Sequence, residues 1–411
     1  MHNAPPGKLH GLLHRIASLH LVGALLIVVL INGILLRTDP IGKVDPEKGQ
    51  SARTWSWWAT HDYLQSRPDI VLLGSSVMMQ GPWFQEARYR HKDVELIADH
   101  DCSYLQSVIE KASAVHARCF NFALPGSMAS DMCMVSKAIF QGDHKPRIIV
   151  LGLSPRDLVD NTFQCAASSK HFQFMARAVN TDGLDDLMVP QWWLRPKFWF
   201  HQVSYFNRHA RDFQTISSET VHQELASCLD PVLNRLPPSP LDVVQEQDRR
   251  FALFKDELQR GIWIAHPGAP WYYNESASDC HRRLRKPDKE MLANQGKWLE
   301  LTLDYCKQEG ITPIILNMPV SDEARQNMHP GIYPMHMAML QSLANRWSCS
   351  LIDANTTGSY SKRDFTDWAH LSDTGGQKLL DLIGERIATD SSLLAKLPKR
   401  DAIATKTSPS I

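Results

Sequence analysis

The chain carries Gly74-Ser75-Ser76 early and Asp367-x-x-His370 near its far end. These residue types suit nucleophilic catalysis. A serine hydroxyl attacks a carbonyl only when a base within hydrogen-bond reach takes its proton, and an imidazole base needs a carboxylate to fix its tautomer. Asp367 and His370 supply base and carboxylate from one short stretch. Either motif alone is common. Gly-Ser-Ser occurs in plain loops, and an Asp and His ahead of a helix also occur on ordinary surfaces.

The elements that would position these residues are readable around them. Asp69 to Leu73 leads into an apolar run without polar alternation, which fits a strand buried on both faces of a parallel sheet. It stops at Gly74, so the serines fall at the C-terminal edge of a sheet, where open α/β folds place their chemistry. Helical spacing follows over Cys102–His116, a second strand over Ala117–Phe122, a helix over Ala129–Phe140, and a third strand over Arg147–Leu153. The pattern resumes with a helix over Lys289–Gln308, a strand over Ile311–Asn317, a helix over Met335–Trp347 and a short strand over Ser350–Asp353. A last helix runs over Thr374–Thr389, with Ser372 or Asp373 as its N-cap. This rhythm predicts an α/β fold with a doubly wound, mainly parallel five-stranded sheet in three layers, flavodoxin-like in its plan.

The 411 residues carry 44 Lys/Arg against 44 Asp/Glu, and no basic stripe points to nucleic acid. The eight cysteines form no CxxC pair, so neither a zinc site nor a thioredoxin-like motif is indicated, and no metal or cofactor is expected. The thiols are read as buried and free, or as partly paired if the compartment is oxidising.

The chain divides as follows. Residues 1–15 are polar. Residues 16–36 form an apolar stretch that would span roughly 32 Å as a helix, enough for a bilayer core of about 30 Å, and read as a transmembrane signal anchor. Residues 37–66 read as a linker. Its Trp55, Trp57 and Trp58 suit either a membrane interface or packing under the domain. Residues 67–159 and 288–394 form the two parts of the sheet domain. Residues 160–287 break the rhythm and read as an insertion or lid, with an amphipathic helix near Val243–Arg260 and prolines at 237, 238 and 240. Residues 395–411 read as a disordered tail. Lys8 and Arg15 precede the apolar stretch, while Arg37, Lys43, Lys48 and Arg53 follow it. That count mildly opposes an N-terminus-in orientation.

Taken together, the motifs resemble the SGNH/GDSL hydrolase superfamily. Leu73-Gly74-Ser75-Ser76 matches the block of strand, glycine and nucleophile, which puts the nucleophile at Ser76. Gly126 in Asn121-Phe122-Ala123-Leu124-Pro125-Gly126 matches the glycine after the second strand, and Asp367 with His370 matches the last block. The resemblance covers residues 67–157 and 288–390. The third block departs from it: Gly152-Leu153-Ser154-Pro155-Arg156-Asp157 lacks the asparagine that donates to the oxyanion. With Gly-Ser-Ser, the Ser-Pro after the third strand and the N-terminal apolar helix, the chain is similar to the membrane-anchored branch. That branch includes the D-alanyl transfer protein of teichoic-acid modification, and polysaccharide O-acetylation proteins share the superfamily.

The resemblance implies catalysis by Ser76, His370 and Asp367. The oxyanion would be held by the N–H groups of Ser76 and Gly126, with Ser154 or Arg156 as compensating donors. It further implies an extracytoplasmic domain on the cytoplasmic membrane, acyl transfer or ester hydrolysis on a surface glycan, and a membrane-bound O-acyltransferase as a companion. Asn317, at the same sheet edge, is a candidate for lining the pocket. Trp192 and Trp193 could stack on sugar rings, lie at a membrane interface, or form a small core of the insertion. A free-standing carbohydrate esterase and a non-catalytic, anchored polysaccharide-binding scaffold are the competing functions.

Overall fold

The computed structural model describes residues 6–41, 52–113, 115–210, 213, 263–267, 275–357 and 360–398. Its centre is one parallel sheet of five strands: β1 (Ile70–Leu73), β2 (Cys119–Asn121), β3 (Ile148–Leu153), β4 (Thr312–Asn317) and β5 (Ser350–Asp353). Their spatial order is β2-β1-β3-β4-β5. Ile70 lies opposite Cys119 and Ile148, Ile148 opposite Thr312, and Ile314 opposite Ser350. β1 and β3 are buried along their whole length, as their unbroken apolar runs require. The order reverses between β1 and β3, and in such sheets that switch point is where ligands bind. The fold is the α/β class expected from the rhythm.

Helices cover the sheet: α3 (Ser76–Arg90), α4 (Ser103–Ser113), α5 (Ala129–Ile139), α6 (Lys289–Glu309), α7 (Ile332–Trp347) and α8 (Asp373–Thr389). α8 packs on α3 and α4, and α5 packs on α6. All but α3 fall within a few residues of their expected spans. α3 is not among the expected helices, and it contains Gly81-Pro82, a pair that disfavours a helix interior. It forms nonetheless, and its residues 76–87 are all buried, so tertiary packing overrides local propensity.

Two further elements differ from expectation. The stretch read as a linker contains α2 (Ala52–Ser66). Trp55, Ala59 and Tyr63, four apart, form its buried face. Trp55 meets Trp263 edge-on with ring centroids 5.5 Å apart, and Tyr63 packs among Phe120, Phe122 and Phe140. Trp55 therefore serves packing rather than an interface. A small antiparallel pair, Val94–Glu95 with Ile264–Ala265, was also not foreseen; two-residue strands carry no periodicity to read.

The chain splits into two compact units. One comprises Met1–Ser51 and Gln191–Arg235; the other, Ala52–Pro190 and Leu236–Ile411, holds the sheet. The segment read as a single insertion is thus divided between them. Its expected helix at Val243–Arg260, the prolines at 237, 238 and 240, and residues 399–411 lie outside the described residues. In the first unit, α1 (Pro6–Thr38) contains one stretch, His20–Thr38, long and apolar enough to cross a membrane. Among the described residues the seven cysteines are free thiols; all are buried but the half-buried Cys349.

Candidate active site

The strand β1 ends at Leu73 and α3 begins at Ser76, so the two serines occupy the turn at the switch point. They do different things. Ser75 is the N-cap of α3, accepting from the Val77 N–H at 3.3 Å; it is fully buried, and its hydroxyl also bonds the Asp157 carboxylate. Ser76 is the first helical residue and is 7% exposed. Its hydroxyl faces His370 Nε2 at 2.9 Å.

His370 is brought there by a tight loop. Phe365 bridges Leu371, and the Thr366 N–H donates to the His370 carbonyl at 2.8 Å. Gln80 on α3 donates to the Thr366 hydroxyl at 2.9 Å, tying the loop to the helix that begins with Ser76. Behind the ring, His370 Nδ1 lies 2.8 Å from Asp367 Oδ2. Asp367 Oδ1 accepts the N–H groups of Ala369 and His370, both at 2.7 Å, and Oδ2 accepts that of Glu275 at 3.0 Å. Burial pushes the Asp367 carboxyl up, but His370 and these N–H donors outweigh it and hold the carboxyl below its usual range. A carboxylate can only accept, so Nδ1 carries a proton, and in the neutral imidazole Nε2 then presents a lone pair to the Ser76 hydroxyl.

No family model matches this chain, and no curated protein is similar to it. Solved structures with a similar chain course include a lipase/acylhydrolase from Enterococcus faecalis, at 10% identity over 80% of this chain and 97% of that one, with a TM-score of 0.35. A proposed acylhydrolase from Bacteroides fragilis is similar at 9% identity over 80% and 93%, with a TM-score of 0.34. Likenesses at these values carry no argument about chemistry.

The remaining expected site residues divide. Gly126 follows β2 in a left-handed conformation at φ 75°. Among the described residues, neither its N–H nor that of Ser76 has an acceptor; the latter belongs to the first turn of α3, whose amides have none within the helix. Ser154 and Arg156 are both engaged with carboxylates. The Ser154 hydroxyl donates to Asp157 at 2.9 Å within a capping box, and the Arg156 guanidinium pairs with Glu275 at 3.2 Å. Asn317 does not line an opening either. It is fully buried, donating to Asp353 at 2.7 Å and to the Tyr333 hydroxyl at 3.0 Å, and accepting from His336 Nε2 at 2.9 Å. Trp192 and Trp193 belong to the other unit and are exposed, so they are not a core of the insertion.

Several supporting residues were missed. Glu275 holds Asp367 through its backbone, and its carboxylate takes Arg156 and, at 3.6 Å, Arg283. His171 donates from Nε2 to the Pro125 carbonyl at 2.9 Å and accepts at Nδ1 from the Ser56 hydroxyl at 2.8 Å, fixing the turn before Gly126. Asp131 accepts the Met128 N–H at 2.7 Å from the other side of that turn. Only the Ser154-x-x-Asp157 capping box had a readable signature. Among the described residues no three His, Cys, Asp or Glu side chains converge on a metal site.

Proposed function

We propose that this chain is a serine-dependent esterase or acyltransferase of the SGNH type, acting through an acyl-Ser76 intermediate. The observation that carries it is the 2.9 Å approach of His370 Nε2 to Ser76 Oγ with Asp367 seated behind the ring. As Ser76 Oγ attacks an ester carbonyl, its proton passes to His370 Nε2. Asp367 holds the ring in register and stabilises the imidazolium. The carbonyl oxygen gains the charge and is met by the unpaired N–H of Ser76, reinforced by the N-terminal dipole of α3, and by that of Gly126. Collapse expels the alcohol, which takes the proton from His370. Water or a sugar hydroxyl then attacks the acyl-serine by the same route in reverse.

The motifs and the apolar helix support a finer reading: an anchored enzyme whose catalytic unit lies outside the cytoplasmic membrane. It would act on ester groups of a surface polymer or exopolysaccharide beside a membrane-bound O-acyltransferase. The test is turnover of a chromogenic aryl ester together with fluorophosphonate labelling. Ser76→Ala should lose at least about 10³-fold in kcat and all labelling, while Ser75→Ala keeps both. Equal retention by the two variants would falsify the assignment. Competing water and glycan acceptors against an acyl donor separates hydrolysis from transfer.

A further inference from the structure

The segment Pro190–Phe213 holds eight aromatic residues, with four Arg/Lys against one Asp. Its short helix Arg195–Val203 and the turn after it leave Trp192, Trp193, Trp199, Phe200, Val203 and Phe206 more than half exposed. A solvated protein surface gathers so many large apolar side chains only where something covers them.

The bonds this segment makes to α1 bear on what that is. Asn32 is a polar residue within the apolar stretch His20–Thr38, and such residues need partners. Its amide donates to the Val203 carbonyl, and its oxygen accepts the Tyr205 N–H at 2.7 Å. Tyr205 then reaches along the end of α1, its hydroxyl donating to Asp39 at 3.2 Å and accepting the Ile41 N–H at 2.8 Å. The aromatic segment is thereby bound at the level of Asn32. That level is six residues, or roughly 9 Å, short of the end of the apolar helix. Helices lying in a membrane surface bury their apolar side about 5–10 Å into the boundary between headgroups and acyl chains. The depths coincide. Trp is enriched at that boundary, and an excess of Arg and Lys suits anionic headgroups.

We infer that residues 192–210 form an interfacial collar around the end of the membrane helix, with their exposed rings in the headgroup–acyl boundary of an anionic bilayer. This rests on reading His20–Thr38 as a membrane span and is independent of the ester chemistry.

The full chain is reconstituted in phosphatidylcholine–phosphatidylglycerol vesicles and washed with alkaline carbonate. Tryptophan quenching is then compared for lipids brominated near the headgroup end and near the methyl end of the acyl chain. The triple variant W192F/W193F/W199F keeps the apolar surface and removes three of the twelve indoles. The wild type should exceed the variant in emission quenched by the shallow bromines, and by less in that quenched by the deep ones. If the protein stays in the vesicles and the three indoles contribute only unquenched emission, the collar is wrong and the span stands. Blue-shifted but unquenched emission would mean that a second copy covers the rings, which also overturns it. A chain that washes off the vesicles removes both the span and the collar.

Discussion

The proposed triad of Ser76, His370 and Asp367 is held by residues outside it. Asp367 is fixed through the Glu275 N–H, and the Glu275 carboxylate is buried against Arg156 and Arg283. Removing one partner of a buried pair leaves an uncompensated charge, which typically costs about 3–5 kcal/mol. Arg283 remains in Arg156→Met, so a loss at or below the lower end of that range is expected in urea denaturation, with a fall in kcat as Asp367 loosens. A second prediction concerns the turn before Gly126. Burial, partly offset by hydrogen bonds from Ser169, Met128 and Phe172, raises the Asp131 carboxyl to about 7, and its Oδ1 has no partner among the described residues. The unfolded value is about 3.9. The folded chain therefore holds an extra proton between the two, and the stability this contributes is full below about pH 4 and lost as the pH rises to about 7. Asp131→Asn should gain on the wild type across that window, by up to about 4 kcal/mol, and hold a constant difference above it, as measured by unfolding at stepped pH. At this scale the sequence distinguished Ser76 from Ser75 only by resemblance. The physical distinction, Ser75 as a buried cap bonded to Asp157 and Ser76 facing His370, needed the fold. The misplacement of Asn317 has the same origin, since the end of a strand can face the sheet's edge or its interior.

Among the elements, strands and most helices were legible because apolar runs and amphipathic periods are local properties. α3 was not, because its breakers serve a contact with a distant element. A Cβ on Gly376, in the first turn of α8, would overlap the Gly81 carbonyl and Cα, so α3 and α8 touch backbone to backbone. That contact sets the distance between the helix that begins with Ser76 and the helix that follows the His370 loop. Gly376→Ala should cost at least about 1–3 kcal/mol, the usual penalty for overpacking. It should also lower kcat more than it raises KM, since it would separate Ser76 from His370. Unchanged melting and kinetics would show the helices free to part. The short pair Val94–Glu95 with Ile264–Ala265 and the buried stripe of α2 escaped notice for the opposite reason: two residues, or three in a tryptophan-rich stretch, give too little period to read.

For the molecule as a whole, the order β2-β1-β3-β4-β5 gathers Ser76, Gly126, Asp367 and His370 at one edge of the sheet, and the alternation of strands and helices announced it. The pairing of Gln191–Arg235 with Met1–Ser51 was not announced, because its bonds join Asn32, Asp39 and Ile41 to Val203 and Tyr205 across 164 to 173 positions. A chain lacking residues 1–51 leaves the Val203 carbonyl and both polar groups of Tyr205 without these partners. Limited proteolysis should then cut within 191–213 far faster than in the full chain, while the sheet unit keeps its melting temperature. Equal cleavage rates would show that the N-terminal residues contribute nothing to this segment.

The backbone passes between the two units three times, at 51/52, 190/191 and 235/236. Anchored enzymes are commonly shed by one peptidase cut in the stalk beside the membrane helix. In a chain anchored as inferred above, a cut between residues 41 and 52 would leave the sheet unit joined through both remaining passages to residues 191–235, whose Tyr205 stays bonded to Asn32 and Asp39. Release would take a second cut or the rupture of those bonds. The nicked chain should therefore sediment with membranes and run as two fragments only on a denaturing gel.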